Sequence, residues 1–219
     1  MNPRSIPAGW GGPAAAGTFL AGVLGATALA TAPYPRPGSR PDQVQTYFQG
    51  NAGAARLSVV GQLTSAAALV PFASAVAQLA APLTGGRALA AAARIGGGVA
   101  AAALTASALA SAALTGPRGR SRVSAASLHR QAFLAGGPVH TAGFGLLVGV
   151  LGVAGRRTGW LATPLAAAAV VSGTVGMLSP LYLVTDRAVL LIPAGRFSAL
   201  LIAAVAGTLL GRAGPVPDP

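Results

Sequence analysis

Six long apolar stretches dominate this chain, at roughly 14–32, 57–81, 95–115, 132–154, 160–183 and 194–211. The only charge inside any of them is Arg196, near the start of the last. A helix rising about 1.5 Å per residue needs ~20 apolar residues to cross a ~30 Å hydrocarbon layer. The pattern therefore predicts an all-α membrane protein, a bundle of about six transmembrane helices with short loops. It makes 14–211 a single domain between an N-terminal tail, 1–13, and a C-terminal tail, 212–219. Composition supports this: 8% of the 219 residues are charged, against roughly a quarter in soluble domains. The net charge of +12 comes from 15 basic residues, all arginine, against three aspartates. They are scattered along the connections without an aromatic reading surface, which argues against a nucleic-acid partner.

Residue inventory removes most chemistries. Without Cys there are no thiolate nucleophiles or Cys-held clusters, and without Lys there is no Schiff base. The acids are Asp42, Asp186 and Asp218, all outside the spans, and there is no Glu. No catalytic residue, cofactor site or metal site is expected on that inventory. His129 and His140 are the only imidazoles, too few for a protein-only metal site and interrupted by Gly136-Gly137-Pro138. Gly143-Phe144-Gly145-Leu146-Leu147-Val148-Gly149 lies inside a span, where its glycines suit helix packing rather than dinucleotide binding.

Four residues remain as candidate intramembrane polar or boundary positions: His140, Arg196, Asp186 and Pro71. His140 is expected to act as a polar contact between helices, since no acid or second imidazole stands near it in sequence. Arg196 cannot open its own helix, because the stretch from Phe197 to Gly211 is too short to cross, so the helix must begin earlier. Asp186, the nearest acid in sequence, is its expected partner across the fifth–sixth connection, with Arg187 beside it. Pro71 should bend the second span.

Other features set further expectations. The first stretch could instead be a secretory signal ending at Ala30-Thr31-Ala32, which would leave five spans. Pro33 next to that site and the length of the stretch favour an anchor. The third stretch is mostly alanine and is expected to be central. Gly17-x3-Ala21-x3-Gly25, Gly145-x3-Gly149 and Ala203-x3-Gly207-x3-Gly211 are small-residue faces suited to close helix contact, within the chain or in a homo- or hetero-oligomer. Pro138 is placed near the start of the fourth span. Prolines 33, 35, 37 and 41 extend the first connection, and Asp42 is expected to cap a short interfacial helix carrying Val44, Tyr47 and Phe48 on one face. Arg118, Arg120 and Arg122 could attract anionic lipid head groups. The connection 116–131 belongs to the side with more arginines, which makes that side cytoplasmic and both termini external.

Three sets of strings stand together: Tyr47-Phe48 with Asn51, Phe133-Leu134-Ala135-Gly136-Gly137-Pro138-Val139-His140, and Gly195-Arg196-Phe197. With them the chain resembles, over most of 14–211, an uncharacterised family of small multi-pass membrane proteins frequent in actinobacteria. The resemblance implies a helical plasma-membrane protein and supplies no activity or catalytic residue; the arginine-rich 116–131 connection departs from it. Three functions stay open: a non-enzymatic protein acting through helix or lipid contacts, a small carrier or channel for an uncharged or anionic solute, and a membrane enzyme or cofactor-binding subunit.

Overall fold

The structure is a computed structural model that describes residues 7–212, the side chains of Pro7, Arg118 and Arg120 excepted. Of the expected tails, 1–6 and 213–219 lie outside the described residues, Arg4 and Asp218 among them. The helices are α1 (Gly11–Leu29), α2 (Pro41–Gly50), α3 (Ala52–Ala80), α4 (Gly86–Leu114), α5 (Arg122–Leu134), α6 (His140–Arg157), α7 (Thr163–Met177) and α8 (Leu191–Arg212). A π-helical turn, Ala135–Val139, joins α5 to α6. Counting adjoining turns, six helices among the described residues are long and apolar enough to cross a membrane. The chain is an all-α, multi-pass bundle.

The spanning helices form a closed ring. Each packs on the next in the order α1, α3, α4, α6, α7 and α8, and α8 returns to α1, while α6 also touches α3 and α8 across the ring. Glycine and alanine make this possible, because side chains of lipid-like polarity give no hydrophobic reason for helices to associate in a bilayer. A Cβ added to Gly145 would lie 2.6 Å from the carbonyl oxygen of Gly173, and one added to Gly61 would lie 2.7 Å from Gly22 Cα. Those distances leave room only for hydrogen, so α6–α7 and α1–α3 run backbone against backbone. Phe19, Leu69, Phe72, Leu104, Phe144, Leu147 and Leu200 fill the space between.

Helix boundaries differ from the sequence expectation mainly by starting earlier. The second, third, fourth and sixth helical segments begin at Ala52, Gly86, Arg122 and Asp186, where the apolar pattern suggests 57, 95, 132 and 194. The arginines that bound the apolar runs, Arg56, Arg94 and Arg130, sit five to nine residues inside these helices and are exposed, so that a long basic side chain can reach water. The fourth segment changes most. Its helix starts well before Pro138, so that proline is interior, and the π turn accommodates its missing N–H.

The α2 face also differs from expectation. Val44, Tyr47 and Phe48 are buried against Ala55, Leu114 and Ala125, so the aromatic face meets α5 and its neighbours instead of lipid head groups. Asp42 lies in the first turn, and Gln43 is the capping side chain: its Oε1 accepts from the Arg40 N–H at 3.3 Å. The alanine-rich α4 belongs to the ring, with Ile95, Val99 and Leu109 turned outward. The α5–π–α6 helix is the most enclosed element, because its glycines let neighbours approach on several sides.

Candidate functional site

Pro138 is the starting point for the site. It has no N–H and sits in the π turn, and around that turn side chains from other elements donate to backbone carbonyls. Ser107 Oγ of α4 donates to Ala132 O at 2.9 Å, and Ser179 Oγ donates to Pro138 O at 3.0 Å. Arg196 Nη2 of α8 donates to Gly137 O and to Thr141 Oγ1, each at 3.2 Å. Its guanidinium carbon lies 5.3 Å from the centroid of the Phe19 ring on α1.

Asp186, the expected partner of Arg196, lies exposed on the 3-10 turn Asp186–Leu190 and makes no ion pair among the described residues. The only salt bridge among those residues is Arg40–Asp42, 3.0 Å long and at the surface. The guanidinium is therefore held by two neutral oxygens and a ring face. Its Nε is one of three buried polar side-chain atoms without a partner among the described residues; the others are Gln62 Oε1 and His129 Nε2.

Arg196 and Gln62 share one cavity. Its volume is about 300 Å³, and Phe19, Val23, Leu104, Phe133 and Ile192 give it an apolar wall. Among the described residues Arg196 is its one charged wall residue, and Ser58, Thr27 and Gln62 add neutral polar groups. Along α3 the wall runs from Ala54 to Gln62, about 12 Å at the helical rise. Tyr34 and Tyr47, 5.3 Å apart edge to face, stand at the Ala54 end. Both also border an outer cleft lined by Thr31, Arg36, Asp42 and Asn51. Tyr34 keeps 55% of its surface accessible because it borders both spaces.

The strap 30–40 that carries Tyr34 is pinned at its start. Asn51 Oδ1, between α2 and α3, accepts from Thr31 N at 2.7 Å and from Thr31 Oγ1 at 3.1 Å. His129 packs against Tyr34 and Phe48 beneath the strap.

The other sequence candidates fall apart from one another. His140 is buried, and its Nδ1–H donates to the Ala100 carbonyl of α4 at 2.9 Å; that carbonyl can only accept, which fixes the tautomer. Its ring stacks near Phe19 and Phe144, so it adjoins the Arg196 side of the bundle without lining the cavity. Pro71 lies inside α3, which continues through it, and is exposed on the outer face away from the cavity. Gln62, Phe19, Tyr34, Asn51 and His129 were not singled out as site residues from sequence. Gln62 is the one with a readable signal, as an amide with no charged neighbour inside an apolar span. Arg122 is exposed at the start of α5; the Arg118 and Arg120 side chains are outside the described residues. No group of three potential metal ligands occurs among the described residues.

Comparison with protein-family models, with curated proteins and with solved structures gives no match. The chemistry of the cavity must therefore be argued from its own residues.

Proposed function

We propose that this protein is a non-enzymatic, multi-pass protein of the plasma membrane that binds a small anionic solute within the bilayer, as a carrier or channel does. The observation behind this reading is Arg196: a guanidinium in a cavity wall, inside a spanning helix, with no carboxylate paired with it among the described residues. An uncompensated charge in such a place costs several kcal/mol even after relaxation. Charged-donor hydrogen bonds offset about 1.5–3 kcal/mol each and the ring face about 0.5–2. An anion at ~4 Å adds about 4 kcal/mol at an effective dielectric constant near 20. An intramembrane charge left for a ligand to complete is the simplest account of that arrangement.

Uptake of a radiolabelled short monocarboxylate into proteoliposomes tests it. Wild-type protein should raise uptake above empty liposomes, and Arg196→Gln should remove most of the increase. Equal uptake by the variant, or none by the wild type, would contradict the reading. A second reading, action through contact with another helix, draws on α1, where a Cβ at Gly17 would meet nothing within 4 Å. Exposed Arg122 is also available to anionic lipid head groups at the boundary.

A further inference from the structure

The anion-binding reading leaves one buried group in the same cavity unexplained. Gln62 Nε2 donates to Ser58 Oγ at 3.1 Å, which leaves Oε1 buried with no donor among the described residues. Helix packing sets its depth. Gly61, its neighbour in α3, lies against the Thr18 carbonyl and Gly22 of α1, and Phe19, next to Thr18, has its ring against the Arg196 guanidinium. Gln62 and Arg196 therefore stand at the same level of the bundle, on different helices of one cavity wall. One wants an anion; the other wants a hydrogen-bond donor.

Resting on that reading, we infer that the ligand is a monoanionic carboxylic acid with a short apolar body and a hydroxyl or amide N–H donor, so that Arg196 takes the carboxylate and Gln62 Oε1 takes the donor. The single charge follows from the wall, in which Arg196 is the only charged residue among the described ones. A phosphate monoester carries about −1.5 to −2 at neutral pH and would leave charge unmatched in a low-dielectric site. A planar carboxylate suits a planar guanidinium. The apolar body follows from Phe19, Val23, Leu104, Phe133 and Ile192, and the short length from a volume of about 300 Å³, the small end of ligand cavities.

Calorimetric titration of the full chain in lipid nanodiscs, with four six-carbon probes, tests this. The probes are hexanoate, 3-hydroxyhexanoate, hexyl phosphate and 1-hexanol. Hexanoate should bind more tightly than hexanol or hexyl phosphate. 3-Hydroxyhexanoate should bind about three- to tenfold more tightly still, the usual worth of one hydrogen bond. Gln62→Leu should abolish the hydroxyl preference, bringing the ratio of the two affinities to about one. Equal affinity for hexanoate and its hydroxylated analogue in the wild type would overturn the donor assignment alone, whatever the variant's stability. Hexyl phosphate binding as well as hexanoate would overturn the carboxylate assignment alone. Hexanol binding as well as every acid would overturn the anion reading itself.

Discussion

At the scale of single residues, Arg196 and His140 show how a polar group inside a bundle finds its partners across the ring. The acceptors of Arg196, Gly137 and Thr141, lie 59 and 55 positions away in the chain, and that of His140 lies 40 away. Sequence alone made both residues visible, since each is ionisable within an apolar run. It could not name their partners, because proximity along the chain pointed to Asp186, while Arg196 turns inward and Asp186 stays at the surface. The His140 geometry carries a prediction. His140→Gln keeps a donor for Ala100 O and loses the ring contacts to Phe19 and Phe144, so stability in detergent should fall by about 1–2 kcal/mol. His140→Ala also leaves a cavity and should cost about 3 kcal/mol or more. Loss of a bound metal or haem with His140→Gln would show a ligand role instead.

Among the elements, the spans were legible because apolar length is a strong signal. Their starts were not, because arginine ends an apolar run without ending a helix. The π turn escaped notice for a related reason: Gly136-Gly137-Pro138 looks like a helix start, and only the preceding helix α5 makes it an interruption. The small-residue faces divide by use. Gly145 and Gly207 are consumed within the bundle, against Gly173 and Gly9, whereas Gly17 faces open space and the working contact of α1 is Gly22 on Gly61. Gly145→Leu must part α6 from α7, because its Cβ would lie 2.6 Å from a backbone oxygen, and should cost ~4 kcal/mol or more. Gly17→Leu should stay within about 0.5 kcal/mol. Thermal unfolding of the two variants in one detergent checks this, and equal tolerance would show that the α6–α7 seam is not a close backbone contact.

For the whole molecule, the ring of helices explains how a charge comes to line a cavity. α1 and the turn before it are tight on α8 where Gly12 and Gly9 meet Ala203 and Gly207. Toward the other end, Val23 and Thr27 on one helix and Ile192 and Arg196 on the other line open space. That end also carries the Tyr34–Tyr47 pair, α2, and arginines 36, 40, 56, 122, 130 and 187. A positively charged face of this kind concentrates anions near the mouth. The positive-inside expectation makes it the cytoplasmic face; a cysteine at Ser124 that reacts with an impermeant maleimide in intact cells would reverse that orientation. The fold class was readable from six apolar runs, but the cavity was not, since its walls come from segments that meet only when the ring closes.

The central claim is that Arg196 is kept charged and unpaired for an anion. The most direct measurement is the thermal stability of purified wild-type protein and of Arg196→Gln, each titrated with hexanoate and, separately, with 1-hexanol. A ligand that binds only the folded state at a hundred times its dissociation constant stabilises it by about 2.7 kcal/mol. The account predicts a saturable rise in melting temperature for wild type with hexanoate, no such rise with hexanol, and no hexanoate effect on the variant. The same hexanoate response in Arg196→Gln, or an equal response of wild type to hexanol, would contradict it.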